Sequence, residues 1–235
     1  GSVTLRVRDL SNCFNVNLES TGTAQVSDES GPTETLSSIL NDAGLAQGDA
    51  TALAAAVGDW MDKDSISRTS GAEDAYYLGL VPAYRTSSQA LANLGELRAI
   101  RGVSPEIMER VAPVLCALPE HTENPAPPLN INTLRAIDAS RLSWAFSGAL
   151  STQEARSLIL SRPLGGWPDL DTFLSDPALT RIAPEQRQLN RLAVVSSLLE
   201  TSADVSYRGE VMRVRLLLEL APGQPIRVLR RERVE

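Results

Sequence analysis

The stretch Val3-Thr4-Leu5-Arg6-Val7-Arg8 alternates apolar and polar side chains, and the far end of the chain repeats the pattern. A period of two belongs to a strand with one buried face. Leu192 to Ser197, Ala203 to Tyr207, Val211 to Leu220 and Ile226 to Arg233 read as further strands. Tyr207-Arg208-Gly209-Glu210 and Ala221-Pro222-Gly223-Gln224-Pro225 supply turns between them. Cys13 to Leu18 stays extended, and residues 19–33, rich in Ser, Thr, Gly and acids, read as a mobile loop.

Between these ends the period changes to that of helices. Glu34 to Asp42 carries Leu36, Ile39 and Leu40 on one face and stops at Gly44. Asp49 to Met61 is Ala-rich, with Leu53, Val57 and Met61 four residues apart. Leu94 to Ile100 and Pro105 to Leu118 follow. Asn132-Thr133 is placed to cap a short helix through Ile137. Ser151-Thr152-Gln153-Glu154 is a capping box for a helix to Arg162. Pro168 to Leu174 and Pro184 to Leu189 close the block. The apolar stripes, and Trp60, Trp144 and Trp167, read as core. The fold class is therefore α+β: a sheet domain from both chain ends, 3–33 plus 190–235, with an all-α domain, 34–189, inserted between them.

Composition removes several function classes. The 235 residues include 22 basic and 29 acidic ones, net charge −7, with 21 Arg but only Lys63 and His121. One His and two Cys cannot build a zinc finger or an iron–sulfur cluster. An acidic balance argues against nucleic-acid binding. No apolar run reaches the ~18 residues of a membrane span. Gly1-Ser2 reads as a cloning scar, with the expectation that an upstream anchor or signal segment has been removed. The charge is uneven: residues 1–80 hold 12 acidic and 4 basic side chains, residues 201–235 hold 5 and 7. Arg230-Arg231-Glu232-Arg233 reads as an edge strand guarded by charge.

Much of the acidic excess gathers in one place. Asp59, Asp62, Asp64, Glu73 and Asp74 fall within sixteen residues, with only Lys63 and Arg68 nearby to compensate. Close carboxylates repel unless a cation intervenes, and Ca²⁺ takes six to eight oxygens from such loops. With Asp62 at the first position of a calcium loop, Asp64 takes the third and Glu73 the twelfth, the slots an EF-hand uses. Ile66 at the fifth and Ser67 at the sixth break the pattern. Spacing leaves a looser calcium loop and a solvated acidic loop both open. A paired-carboxylate hydrolase is disfavoured, because nothing separates the roles and aromatics make up only 4% of the chain. Cys13 and Cys116 are either bridged or two buried thiols. His121 sits among Pro119, Pro125, Pro127 and Pro128 and reads as exposed loop.

Six short stretches, taken in order, resemble the K-class minor pseudopilins of the type II secretion system, the general secretion pathway protein K family. They are Asp9-Leu10-Ser11-Asn12-Cys13-Phe14-Asn15-Val16-Asn17, Asp59-Trp60-Met61-Asp62-Lys63-Asp64, Gly71-Ala72-Glu73-Asp74-Ala75-Tyr76-Tyr77, Glu96-Leu97-Arg98, Ile131-Asn132-Thr133 and Arg162-Pro163-Leu164-Gly165-Gly166-Trp167. The resemblance implies a pilin-like sheet domain with a large helical insertion, preceded by a leader and an apolar helix not present here. It implies no enzymatic activity. It implies a place at the pseudopilus tip, too bulky for subunits to stack above, that starts assembly and supports export across the outer membrane. The partners implied are the I- and J-class minor pseudopilins, with the H class, the secretin and secreted substrates as further candidates, and no nucleic acid. The location implied is periplasmic, on a protein anchored in the inner membrane of a Gram-negative bacterium, which favours the Cys13–Cys116 bridge. It implies one or two Ca²⁺ ions at Asp59, Asp62, Asp64, Glu73 and Asp74. The chain departs from the family in having Ser65-Ile66-Ser67-Arg68 where a Pro is common.

The alternative reading comes from residues 130–174, which look like the helix-hairpin-helix repeats of DNA-binding proteins. Those cradle phosphate on hairpin amides. Here the hairpin near Trp144-Ala145-Phe146-Ser147-Gly148 has one Gly and no flanking Lys.

Overall fold

The computed structural model of the chain describes residues 1–18, 31–119, 122 and 126–234. His121 and most of the expected loop at 19–33 lie outside them. In chain order the elements are β1 (Ser2–Asp9), β2 (Phe14–Asn15), α1 (Pro32–Asp42), α2 (Gln47–Met61), α3 (Asp74–Tyr77), α4 (Pro105–Val111), β3 (Leu115–Cys116), β4 (Leu129–Asn130), α5 (Ala139–Trp144), α6 (Thr152–Leu160), α7 (Leu170–Leu174), α8 (Pro177–Thr180), β5 (Leu192–Ala193), β6 (Leu198–Tyr207), β7 (Glu210–Glu219) and β8 (Arg227–Val234). Helices and strands together make a mixed α+β fold.

The two chain ends meet in one antiparallel sheet of order β1-β6-β7-β8. The β6–β7 turn has both central residues at positive φ, Arg208 at 51° and Gly209 at 86°. That is the hairpin geometry whose twist matches its strands. Register places Val3 opposite Val205, Leu5 opposite Ala203, and Val205 in turn opposite Met212. Across β1, β6 and β7 this face is thus mostly apolar, and β8 sets Arg231 and Arg233 on it, opposite Leu216 and Val214. The other carries Arg6–Asp204 at 2.8 Å, Arg213–Asp204 at 2.6 Å and Arg227–Glu219 at 2.7 Å. The expected buried face of β1 is not buried. Val3, Leu5 and Val7 are 67%, 63% and 57% exposed, because no described element covers that side.

Several helical expectations are corrected. The helix foreseen over Pro105–Leu118 stops at Val111, and Leu115–Cys116 instead pairs in parallel with Phe14–Asn15. Pro113 accounts for the break, since it has no N–H to continue the ladder and its ring excludes helix continuation, although Ala112 before it still holds helical angles. Leu94–Ala99, Pro184–Gln186 and Leu189–Arg191 are 3-10 turns. Asn132-Thr133 does not cap a helix through Ile137; a 3-10 turn at Ala136–Asp138 leads into α5, which periodicity missed. The strand foreseen at Leu192–Ser197 shrinks to a two-residue pairing with β4. The capping box before α6 is present as read, with Ser151 Oγ accepting from the Glu154 amide and the Glu154 carboxylate from the Ser151 amide.

By contacts the chain divides into Gly1–Asn12 with His121–Glu235, and Cys13–Glu120. The boundaries drawn on element type, 3–33 plus 190–235 against 34–189, follow a different criterion. In the first unit a core runs through Leu129, Ile131, Leu142, Phe146, Leu158, Phe173 and Leu192. Phe173 packs edge-on to Trp167 at 4.9 Å. In the second, Cys13 and Cys116 form a disulfide with Cα atoms 5.7 Å apart, beside the β2–β3 pairing.

Three asparagines explain motifs that periodicity left without a purpose. Each uses its side-chain amide as a strand uses its backbone, accepting from one residue's N–H and donating to the same residue's carbonyl. Asn12 pairs in this way with Asn130 at 2.8 and 2.9 Å. Asn17 pairs with Leu91 at 2.8 and 3.0 Å and donates also to Leu118 O at 2.9 Å. Asn132 pairs with Trp167 at 2.8 and 2.9 Å. Gly166 sits at φ 76°, and a Cβ there would meet Asn132 Oδ1 at 2.8 Å. Interior backbone groups that lack a ladder are satisfied by these side chains.

Candidate metal centre

Helix α2 is Ala-rich, buried along most of its length, and has no basic residue in its last turn. Its C-terminal end carries the negative pole of the peptide dipoles. Asp59 lies in that last turn, fully buried, and Asp62 caps the helix. Two carboxylates at a negative helix end call for a cation. The chain then doubles back: the Asp59 carboxylate accepts from the Arg68 amide at 3.2 Å and from Ser67 Oγ at 3.2 Å. Gly71 passes so close that a Cβ there would stand 2.0 Å from Asp59 Oδ2. Only a glycine fits, and this brings Glu73 in beside the helix end.

Asp59, Asp62 and Glu73 each offer a carboxylate oxygen within 4.8 Å of the others. Arg68 Nη1 bridges the pair, 2.7 Å from Asp59 Oδ1 and 2.6 Å from Asp62 Oδ2. Burial lowers the affinity of that guanidinium for its proton, but the hydrogen bonds to Asp59 and Asp62 outweigh burial and the net shift is upward. Asp62 Oδ1 and Glu73 Oε1 are buried with no hydrogen-bond partner. Burial first, then the charges of Asp62 and Asp59, hold the Glu73 carboxyl above the usual carboxylate range. Three carboxylates against one guanidinium, with two orphaned buried oxygens, are the donor set a hard divalent cation takes.

Of the five expected carboxylates, the structure brings these three together. Asp64 is exposed, and its Oδ1 accepts from the Ile66 amide at 2.7 Å in a local turn. Asp74 opens α3 and is engaged elsewhere, by Arg85 at 2.6 Å and by the Thr86 amide at 2.9 Å. Those hydrogen bonds, with the Arg85 charge, hold its carboxyl below the usual range. Sequence reasoning named Arg68 as a local compensating charge but missed Gly71 and Ser67. A glycine immediately before the Ala72-Glu73-Asp74 stretch was the signal available. Behind the site, Trp60 packs edge-on to Tyr77 at 5.1 Å, and Tyr84 completes the cluster, so Trp60 anchors core as expected.

The helix-hairpin-helix alternative is not favoured. Ser147 and Gly148 do adopt positive φ, 49° and 77°. Yet the amides a phosphate would need are already used within the hairpin. Ser147 N donates to Trp144 O at 3.0 Å, Gly148 N to Ser143 O at 3.3 Å and Ala149 N to Phe146 O at 2.9 Å. The Glu154 carboxylate adds negative charge at the start of the next helix.

Two family models, both described as type II secretion system (T2SS), protein K, match residues 12–120 and 129–195. A type II secretion system protein K of Pectobacterium carotovorum subsp. carotovorum is 32% identical over 238 residues, covering 99% of this chain and 70% of that protein. Its counterpart from Aeromonas hydrophila is 36% identical over 176 residues, 72% of this chain but only 52% of its own length. The chain therefore spans between about half and seven-tenths of these relatives. Among solved structures, a chain of the GspK-GspI-GspJ complex from the enterotoxigenic Escherichia coli type 2 secretion system shares the fold, with a TM-score of 0.74 at 24% identity over 99% of this chain and 80% of that one. The matched models cover most of the chain, from the asparagine-clamped strand through the carboxylate loop to β5, and on that ground the chain belongs to the type II secretion system protein K family.

Proposed function

We propose that this chain is the periplasmic part of a minor pseudopilin that caps the tip of the type II secretion pseudopilus in complex with the I- and J-class proteins. One observation carries the reading: the fold matches, along nearly its whole length, a chain solved within a GspK-GspI-GspJ complex. The role is structural rather than catalytic, and the helical block 34–189 supplies the bulk that stops further stacking. The H-class pseudopilin, the secretin and exported substrates are further contacts of such a tip. Among the described residues no helix is long and apolar enough to cross a membrane. The open apolar sheet face, with Val3, Leu5 and Val7 in a row, supports an apolar helix ahead of Ser2 that packs there and continues into the inner membrane of a Gram-negative cell. Mixing this domain with the periplasmic domains of I and J tests the assignment. A ternary complex that co-elutes on sizing is expected, and three separate peaks at micromolar concentrations overturn it.

The carboxylate group takes calcium in this reading, one or two ions. Asp59, Asp62 and Glu73 would hold an ion, and Asp64 and Asp74 stand beside them. The bound ion would supply the charge balance that one guanidinium leaves incomplete. Binding to the folded state alone adds stability by mass action, about 2.7 kcal/mol at a hundredfold excess over Kd. The melting temperature is expected to drop when millimolar calcium is replaced by chelator. An unchanged melt removes calcium from the account.

A further inference from the structure

We propose that Arg68 is a built-in counter-cation of the carboxylate group: it holds the loop folded without metal and restricts the site to a single, weaker divalent ion. The inference rests on the calcium reading above and deepens it. Arg68 lies in the Ser65-Ile66-Ser67-Arg68 segment that joins the end of α2 to the Gly71–Glu73 stretch. Its Nη1 contacts both Asp59 and Asp62, at 2.7 and 2.6 Å. The guanidinium has a seat made for it: a Cβ on Gly58 would come within 2.7 Å of Nη1 and 2.8 Å of Cζ, so the bare backbone of α2 leaves the space it fills. Glu73, at 6% exposure, keeps Oε1 buried and unpartnered, and Asp62 keeps Oδ1 so. Arg68 thus satisfies one oxygen each of Asp59 and Asp62, and Ser67 Oγ and the Arg68 amide reach the second oxygen of Asp59, so that Asp62 Oδ1 and Glu73 Oε1 are left facing no donor. Three carboxylates with one guanidinium carry a net charge of −2, which one divalent ion cancels. Without Arg68 the group carries −3, repels itself more when empty and attracts a dication more strongly.

The test uses the wild-type chain with Arg68→Gln and Arg68→Lys, all prepared in chelator. Melting in chelator and calorimetric titration with calcium chloride are read for each. Arg68→Gln is expected to melt about 5 °C lower in chelator, through self-repulsion of the group. It is also expected to bind calcium about tenfold more tightly than wild type. Arg68→Lys keeps the charge but not the planar guanidinium that fills the space over Gly58. Its calcium affinity stays near wild type while its chelator melt falls between the other two, so the inference remains readable if Arg68→Gln does not fold without metal. Wild type that binds while Arg68→Gln binds no more tightly overturns the counter-cation role and leaves the calcium reading intact. Wild type that takes up no calcium overturns the calcium reading, and this inference with it.

Discussion

Replacing Cys13 and Cys116 by alanine lowers the stability of the chain by about 4–5 kcal/mol. The bridge ties residues 103 apart in sequence, and loop-closure entropy removed from the unfolded chain grows with that separation. Cys13 precedes, and Cys116 belongs to, the short parallel pairing of Phe14–Asn15 with Leu115–Cys116, only two residues on each strand. So short a ladder supplies few hydrogen bonds between β2 and β3, and the covalent tie adds to them. For a unit of this size the loss corresponds to a fall in melting temperature of about 10–20 °C. Denaturant unfolding of the double variant against wild type under oxidising conditions measures it. A difference below about 1 kcal/mol would mean the unfolded chain is already constrained between these positions.

Asn17→Ala is expected to cost about 3–5 kcal/mol, more than most single substitutions. Its side chain satisfies three backbone groups at once: Leu91 N, Leu91 O and Leu118 O. All are buried, and each group left without a partner costs about 1–3 kcal/mol, less whatever water recovers. Asn17→Asp is the sharper comparison. It keeps the acceptor for Leu91 N but turns the donor to two carbonyls into a second anionic oxygen, so it is expected to be at least as damaging. Chemical denaturation of both variants checks the order. An Asn17→Ala loss under 1 kcal/mol would show that the clamp contributes little.

Local periodicity carried the strands well. The alternation at Val3–Arg8 and Val211–Leu220 marks β1 and β7 to within a residue, because side chains on a strand must alternate wherever the chain goes. The capping box at Ser151–Glu154 was equally legible, since both of its hydrogen bonds close within one turn. The long helix expected over 105–118 failed on a local signal given too little weight, Pro113. Other departures had no local signal. Asn132 was placed as a helix cap because an asparagine at a chain turn has many uses, and which one it takes depends on a backbone segment thirty-five residues away.

The carboxylate site divides along the same line. Composition and spacing marked the stretch, five acids within sixteen residues, and left a cation loop and a solvated acidic loop both open. Spacing could not say which carboxylates converge. Asp74 stands next to Glu73 in sequence, yet Arg85 and Thr86 hold it away. Asp59 and Glu73 are fourteen residues apart and meet because Gly71 has no side chain to keep them separate. Residue order settled the fold class, the turns and the family, because backbone periodicity and short hydrogen-bonded motifs act over a few residues. The disulfide, the asparagine clamps, the open apolar face of the sheet and the meeting of Glu73 with the two carboxylates that share one guanidinium were settled by folding. Each depends on groups far apart in the chain, whose meeting is fixed by the packing of the whole unit rather than by neighbouring residues.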